Sequence, residues 1–178
     1  MQTSFGCNML ALNGGRPEQL TLRSFLTNFI DFREIVVARR TAFELRKARE
    51  RSHILCGLAV AVTNVDEVVA TIRSSSDAAE AREKLMQRRW PAGSIAEYIK
   101  LIDDPTHTIN EDDTYNLSET QARAILELRL QRLTQIGVKE VTEELQTLSK
   151  KIKEYLEILG SREQIMSIIM NELNEVRE

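Results

Sequence analysis

Three side chains could in principle act as nucleophiles: the hydroxyls of Tyr98, Tyr115 and Tyr155. Tyr155 falls on an apolar heptad-like seam, Tyr98 lies in a short amphipathic stretch, and Tyr115 immediately precedes a helix-start signal, so packing accounts for all three. No Gly-rich phosphate loop, HExxH or GxSxG occurs. The two cysteines, Cys7 and Cys56, stand in apolar surroundings without metal-ligand spacing and read as buried free thiols of a reducing compartment. His53 and His107 stand alone, so no metal site is expected. The stretch DDPTHTINEDDTYN, residues 103–116, holds five carboxylates and no Lys or Arg, but lacks the alternating D-x-D-x-D-G order of a calcium loop and reads as a solvated acidic loop. Trp90, in RRWPAG, reads as a core anchor.

One cluster carries a possible binding chemistry. Arg39, Arg40, Arg46, Lys47, Arg49 and Arg51 lie within thirteen residues on one helical pattern. Such a face is solvated by default; its functional reading is loose, sequence-independent attraction for a phosphate backbone. No interleaved aromatics support base stacking. Charge is uneven along the chain: residues 1–63 carry 9 Lys/Arg against 5 Asp/Glu, residues 64–119 carry 6 against 12, and residues 120–178 carry 9 against 10. The net charge of −3 argues against a self-contained nucleic-acid binder.

The elements that must position these groups are helices. Of 178 residues, 42% are apolar, only 5% aromatic, and there are 7 Gly and 3 Pro, a profile that excludes a β-sandwich, a barrel or a disordered tail. Residues 3–12 are β-prone, and Asn13-Gly14-Gly15 supplies a turn, so a hairpin opens the chain. Thr21 is a plausible N-cap. From Leu22 to about Val62 there is no Pro and only Gly57, with Leu22, Phe25, Leu26, Phe29, Ile30, Val36 and Val37 at helical spacing. A seam of alternating three- and four-residue steps follows: Ala38, Thr41, Leu45, Ala48, Ser52, Leu55, Ala59, Val62. A second runs Val138, Val141, Leu145, Leu148, Ile152, Tyr155, Leu159, ended by Gly160; Ser161 with Gln164 restarts a helix bearing Ile165, Ile169, Leu173 and Val176.

Two arms of matched length imply an antiparallel coiled-coil hairpin with a small helical head at its tip. The expected fold is therefore mainly α, in four parts: a β-hairpin (1–20), an outward arm (21–63), a head (64–136) and a return arm (137–178). Short helices in the head are signalled by Asn64 with Glu67, Asp77 with Glu80, Ser94 with Glu97, and the capping box Ser118 with Gln121, where Leu117 holds the staple position. The helix expected over 119–133 is apolar on more than one face. Ala122, Ile125, Leu126 and Leu133 form one stripe; Leu128 and Leu130, with Ala124 beside them, lie off it. That excess fits either a deeper core or a contact with another chain. A two-fold contact would use Ala124, Leu128 and Leu130 twice. No stretch of 18 uncharged apolar residues exists, and Met1 is followed by polar and mixed residues, so neither a membrane span nor a signal peptide is expected, and a soluble intracellular protein is.

Several segments resemble the DNA gyrase A-subunit family of type IIA DNA topoisomerases. They are RRTAFELRKARERSHILCGLAVAVTNVDEVVATIR (39–73), YNLSETQARAILELRLQRLT (115–134), TSFGCNMLALNGGRPEQL near the start and LEILGSREQIMSIIMNEL near the end. The likeness runs through essentially the whole chain, is weaker over 74–114, and extends in second place to the A subunit of topoisomerase IV. It implies that the hairpin ends a tower domain, that the arms form a coiled coil, and that the head is the exit gate where two A subunits meet. It also implies that the catalytic tyrosine, in a winged-helix domain beside an arginine, belongs to a different part of the family's chain; no tyrosine here stands in that context. ATP, Mg2+ and the DNA gyrase B subunit would serve the parent holoenzyme, with no cofactor in this segment, weak DNA contact from the basic arm, and a cytoplasmic, chromosome-associated location. The rival from another class is a free-standing coiled-coil adaptor, which should not begin with an orphan hairpin.

Overall fold

The computed structural model describes residues 2–4, 6–102, 109–128 and 138–177. The chain is mainly helical, with a short N-terminal hairpin, one long helix and several small ones. It divides into two compact units, Met1–Phe43 with Tyr155–Glu178, and Glu44–Glu154. The long helix α1 (Leu22–Thr63) contributes to both.

In the first unit, β1 (Leu10–Asn13) and β2 (Arg16–Gln19) pair antiparallel, Asn13 opposite Arg16. Gly14 and Gly15 join them with φ of 58° and 84°, the left-handed geometry of a two-residue turn that glycine adopts without a Cβ clash. The strand is shorter than the β-prone run 3–12 suggested. Its edges are exposed, with Leu12 75% accessible; beyond the ladder the Leu20 N–H still donates to the Met9 carbonyl at 2.8 Å and Gln19 Nε2 to Asn8 Oδ1 at 2.9 Å. Thr21 caps α1 as expected, its Oγ1 accepting the Ser24 N–H at 3.2 Å. The other helix of this unit is α7 (Arg162–Arg177), which follows the end of α6 (Val138–Gly160). Ile165 and Ile169 of α7 are buried with Val37 of α1, and Ala38, Ile158, Met166 and Ile168 pack around them. Leu173 and Val176, expected on the same apolar face, are exposed.

In the second unit the chain bends by 91° after α1 into α2 (Val65–Arg73). Asn64 does not cap α2, contrary to the sequence reading; its Nδ2 donates back to the Val60 carbonyl instead. α3 (Ala78–Gln87) does start as expected, Asp77 Oδ1 accepting from Glu80 N at 2.7 Å. Then comes an element not anticipated: β3 (Arg89–Pro91) pairs with β4 (Thr114–Asn116), Trp90 opposite Tyr115. Between them a single 3-10 turn, Gly93–Ile95, leads into α4 (Ala96–Ile102). α5 (Glu119–Glu127) carries the full capping box. It ends at Glu127, because Leu128 takes an extended backbone (φ −70°, ψ 127°) that does not continue the helical ladder; the rest of the expected stretch, 129–133, lies outside the described residues.

The core of this unit is one cluster around Leu55, Cys56, Val60, Val68, Leu85, Trp90, Tyr115, Ile125, Val141 and Leu145. Trp90 is fully buried and its Nε1–H donates to the Leu85 carbonyl at 2.9 Å, so the core anchor is also polar-satisfied. The Arg88 guanidinium lies 4.9 Å from the centre of its ring.

Candidate functional site

The start of α5 is built as a capping box, and its atoms do more than cap. Ser118 Oγ accepts the Gln121 N–H at 3.2 Å, and Gln121 Oε1 accepts the Ser118 N–H at 2.9 Å. Gln121 Nε2 then reaches another helix, donating to the His53 carbonyl of α1 at 2.6 Å, and also reaches Tyr115 Oη at 2.9 Å. The His53 ring returns to the cap, Nε2 standing 2.7 Å from Ser118 Oγ. Gln121 is 0% exposed.

Along α5, burial follows the helix face. Ala122 and Ile125 are buried, whereas Ala124, Leu126 and Leu128 are half-buried. Leu126 and Leu128 lean on the core. A groove of about 320 Å3 lies beside them, floored by Ala78, Ala79 and Leu126 and rimmed by Arg82, Arg123 and Glu127. Glu119 ties the α3 and α5 walls together, accepting from Arg82 and from Arg123 at 3.1 Å each. Of the three interface candidates, Ala124 and Leu128 are near this groove's α5 wall in sequence, and Leu130 lies outside the described residues.

The outward seam is buried at Thr41, Leu45, Ala48, Ser52, Leu55 and Ala59 and half-buried at Ala38 and Val62. On the return helix Val141, Leu145 and Ile152 are buried, and Leu148, Tyr155 and Leu159 are half-buried. Leu55, Val141 and Leu145 share one core, and Arg51 clasps Glu144 with its Nε at 2.8 Å.

The basic cluster is partly spoken for. Arg40 Nη2 donates to Glu172 Oε1 at 2.5 Å, and Arg33 bonds the same carboxylate. Arg51 is held by Glu144. Arg39, Arg46 and Lys47 are exposed and Arg49 is half-buried. Arg46, Lys47 and Arg49 also interact within the chain. The tyrosines pack: Tyr115 is buried, Tyr98 and Tyr155 half-buried. Cys56 is buried, which pushes its thiol up to about 12, far from a reactive thiolate. Cys7, expected to be buried, is exposed in the stretch before β1. His107 and the first carboxylates of the acidic stretch, Asp103 and Asp104, lie outside the described residues; Asp112 is engaged by Arg89 at 2.9 Å and by the Thr114 hydroxyl. Among the described residues no three His, Cys, Asp or Glu side chains converge as a metal-binding group. Among the same residues no single helix is long and apolar enough to cross a membrane.

The family model of the DNA gyrase/topoisomerase IV A subunit matches residues 1–174. The chain belongs to that family. It is 49% identical over 177 residues to the DNA gyrase A subunit of Granulibacter bethesdensis, covering 99% of this chain and 19% of the relative. The DNA gyrase A subunit of Rickettsia conorii is 46% identical over the whole of this chain and 20% of its own length. That of Haemophilus influenzae is 44% identical over 99% of this chain and 21% of its own. The chain thus spans about a fifth of the length of the curated A-subunit relatives it matches.

For an A-subunit segment, the residue that sequence reasoning missed is Gln121 in its second role. The capping pattern was legible as four adjacent positions, but the reach to His53 joins residues far apart in the chain. The available signal was Gly57, the one glycine in α1, one helical turn beyond His53.

Proposed function

We propose that this segment supplies the coiled coil and the dimerising exit gate of a bacterial type II DNA topoisomerase of the gyrase type, which alters DNA supercoiling by ATP-dependent double-strand passage. In this reading the segment opens and closes a protein gate and carries no catalytic residue. ATP hydrolysis, with its Mg2+, belongs to the B subunit, and the complex works in the cytoplasm on the chromosome. DNA touches this segment weakly through its basic arm.

The observation that carries the reading is a half-exposed apolar strip on α5. Ala122 and Ile125 face the core, while Ala124, Leu126 and Leu128 remain half-exposed, Leu126 on the apolar floor of the groove. A two-fold partner would cover such a strip with its own copy, using each side chain twice. Family membership from residue 1 to 174 supports assigning the segment to a protein that works as part of a larger assembly.

Light scattering over a dilution series tests it. The chain should be a dimer that dissociates on dilution. Ala124→Arg, on the helix surface, and Leu130→Asp should give monomers of unchanged helicity. Leu128 is less suitable for the test, because it also supports its own core. A chain that stays monomeric at high concentration, or a dimer untouched by both changes, would defeat the reading.

A further inference from the structure

α5 approaches α1 at the point where α1 has no side chain. A Cβ added at Gly57 would stand 2.6 Å from Gln121 Cβ and 2.7 Å from its Cγ, closer than carbon atoms pack. Glycine weakens a helix interior, yet Gly57 sits well inside a 42-residue helix. His53 lies one turn earlier on the same face. The gap at 57 opens the path to its carbonyl, and Gln121 Nε2 takes that path.

A capping glutamine needs only its amide oxygen, which accepts the N-cap N–H. Here the amide nitrogen has a second duty, and its two hydrogens have two acceptors, the His53 carbonyl and Tyr115 Oη. The His53 ring binds the capping hydroxyl from the other side. One turn of α1, residues 53–57, therefore grips one turn of α5 through carbonyl, ring and missing side chain together. Apolar contacts tolerate slip between helices. A buried amide does not, because a one-residue shift moves the carbonyl by ~1.5 Å along the axis and leaves a buried donor unpaired.

We infer that Gln121 is a positioning residue that keys α5 to the 53–57 turn of α1, so that any displacement of that turn carries α5 with it. The inference stands whether or not the head dimerises, since every group involved belongs to one chain.

Hydrogen exchange read by mass spectrometry on the full 178-residue chain tests it, with two variants. Gln121→Met keeps the volume and removes the key. Arg123→Gly weakens the α5 helix at an exposed position and leaves Gln121, Ser118 and His53 untouched. With a keyed joint, Gln121→Met speeds exchange in both turns, 53–57 and 119–123, by roughly 3- to 10-fold, while Arg123→Gly does so only in α5. If Gln121→Met leaves turn 53–57 as in the parent chain, Gln121 merely caps α5 and the inference falls. Should Gln121→Met fold poorly, Gly57→Ala decides: it keeps every polar group but pushes α5 off α1, and unchanged protection of 119–123 in that variant overturns the joint.

Discussion

Beyond Glu44, α1 is covered by apolar side chains arriving from α2, α3, α5, α6 and the β3–β4 pair, with Trp90 and Leu85 both fully buried. Around Val37 the same helix is covered by little more than Ile165 and Ile169, and the edges of that contact are charged. Glu172 accepts from Arg33 and Arg40, and Arg162 clasps Glu34 at 2.8 Å. Apolar burial stabilises in proportion to area and ignores salt, whereas exposed ion pairs contribute about 0–1 kcal/mol each and weaken as salt rises. One unit therefore has a core that must be melted, and the other has a helix that can be loosened without melting anything else. The first unit also leaves Leu10, Leu12, Leu22, Phe32 and Met170 exposed. Apolar side chains exposed on that scale mark a surface suited to further contacts.

The contrast is broken most violently at Trp90. Trp90→Ala removes the largest buried side chain and leaves the Leu85 carbonyl without its indole donor. A loss of about 3–5 kcal/mol is expected, read as a lower urea midpoint of the main transition. The matching cut in the first unit, Ile169→Ala, should cost about 2 kcal/mol, the low end for such truncations, because its cluster is small and can relax. Its signature is local: faster exchange in α7 with the main transition in place. An Ile169→Ala loss equal to that of Trp90→Ala, and shared by the second unit, would show that the two units do not differ in kind.

The same physical division governs what could be read from sequence. Features written in adjacent residues were legible: the Asn13-Gly14-Gly15 turn, the Thr21, Asp77 and Ser118 caps, and the run of α1. Features made by residues distant in the chain were not. β3 and β4 are three residues each, too short for alternation to show, and exist because Trp90 and Tyr115 are buried opposite each other. Asn64 looked like a cap because its spacing to Glu67 is right, but the 91° bend leaves the Val60 carbonyl within reach and its side chain goes there. The apolar pattern could not announce that Leu128 packs onto the core with an extended backbone, which closes α5 at Glu127. At the candidate site, the groove beside α5 depends on Ala78 and Ala79, whose small size signals nothing until α3 and α5 are side by side.

The next effect is smaller and comes from charge. Hydrogen bonding from Arg40, and then the nearby Arg40 and Arg33 charges, hold the Glu172 carboxyl below its ordinary value of 4.5. Arg162 does the same to Glu34. A carboxylate with a depressed folded value adds stability that is present above its unfolded value and is lost as pH falls through the depressed one. Protection of α7 should therefore decline as pH drops from about 5 toward 3, while the second unit's apolar core, probed at Leu85 and Ile125, holds better. Glu172→Gln should cost about 0.5–1 kcal/mol at neutral pH and flatten that acid dependence. A parent chain whose α7 exchange ignores both pH and salt would remove the charged half of the comparison.

The smallest expected effect separates two neighbours. Arg39 and Arg40 are adjacent and equally basic, but only Arg40 is seen tied to Glu172, while the Arg39 side chain is exposed. Arg39→Ala should change stability by less than about 0.5 kcal/mol, as surface substitutions do, and leave α7 exchange alone; Arg40→Ala should speed that exchange modestly. For DNA the order reverses. Short-duplex binding by this chain should be weak, since the net charge is −3 and several of the basic side chains already have partners within the chain. Whatever phosphate contact Arg39 makes should appear as a decrease of about 1 in the slope of log affinity against log salt, with little change for Arg40→Ala. If the two substitutions loosen α7 equally, the Arg40–Glu172 pair is not what holds that helix, and the small Val37, Ile165 and Ile169 cluster must do so alone.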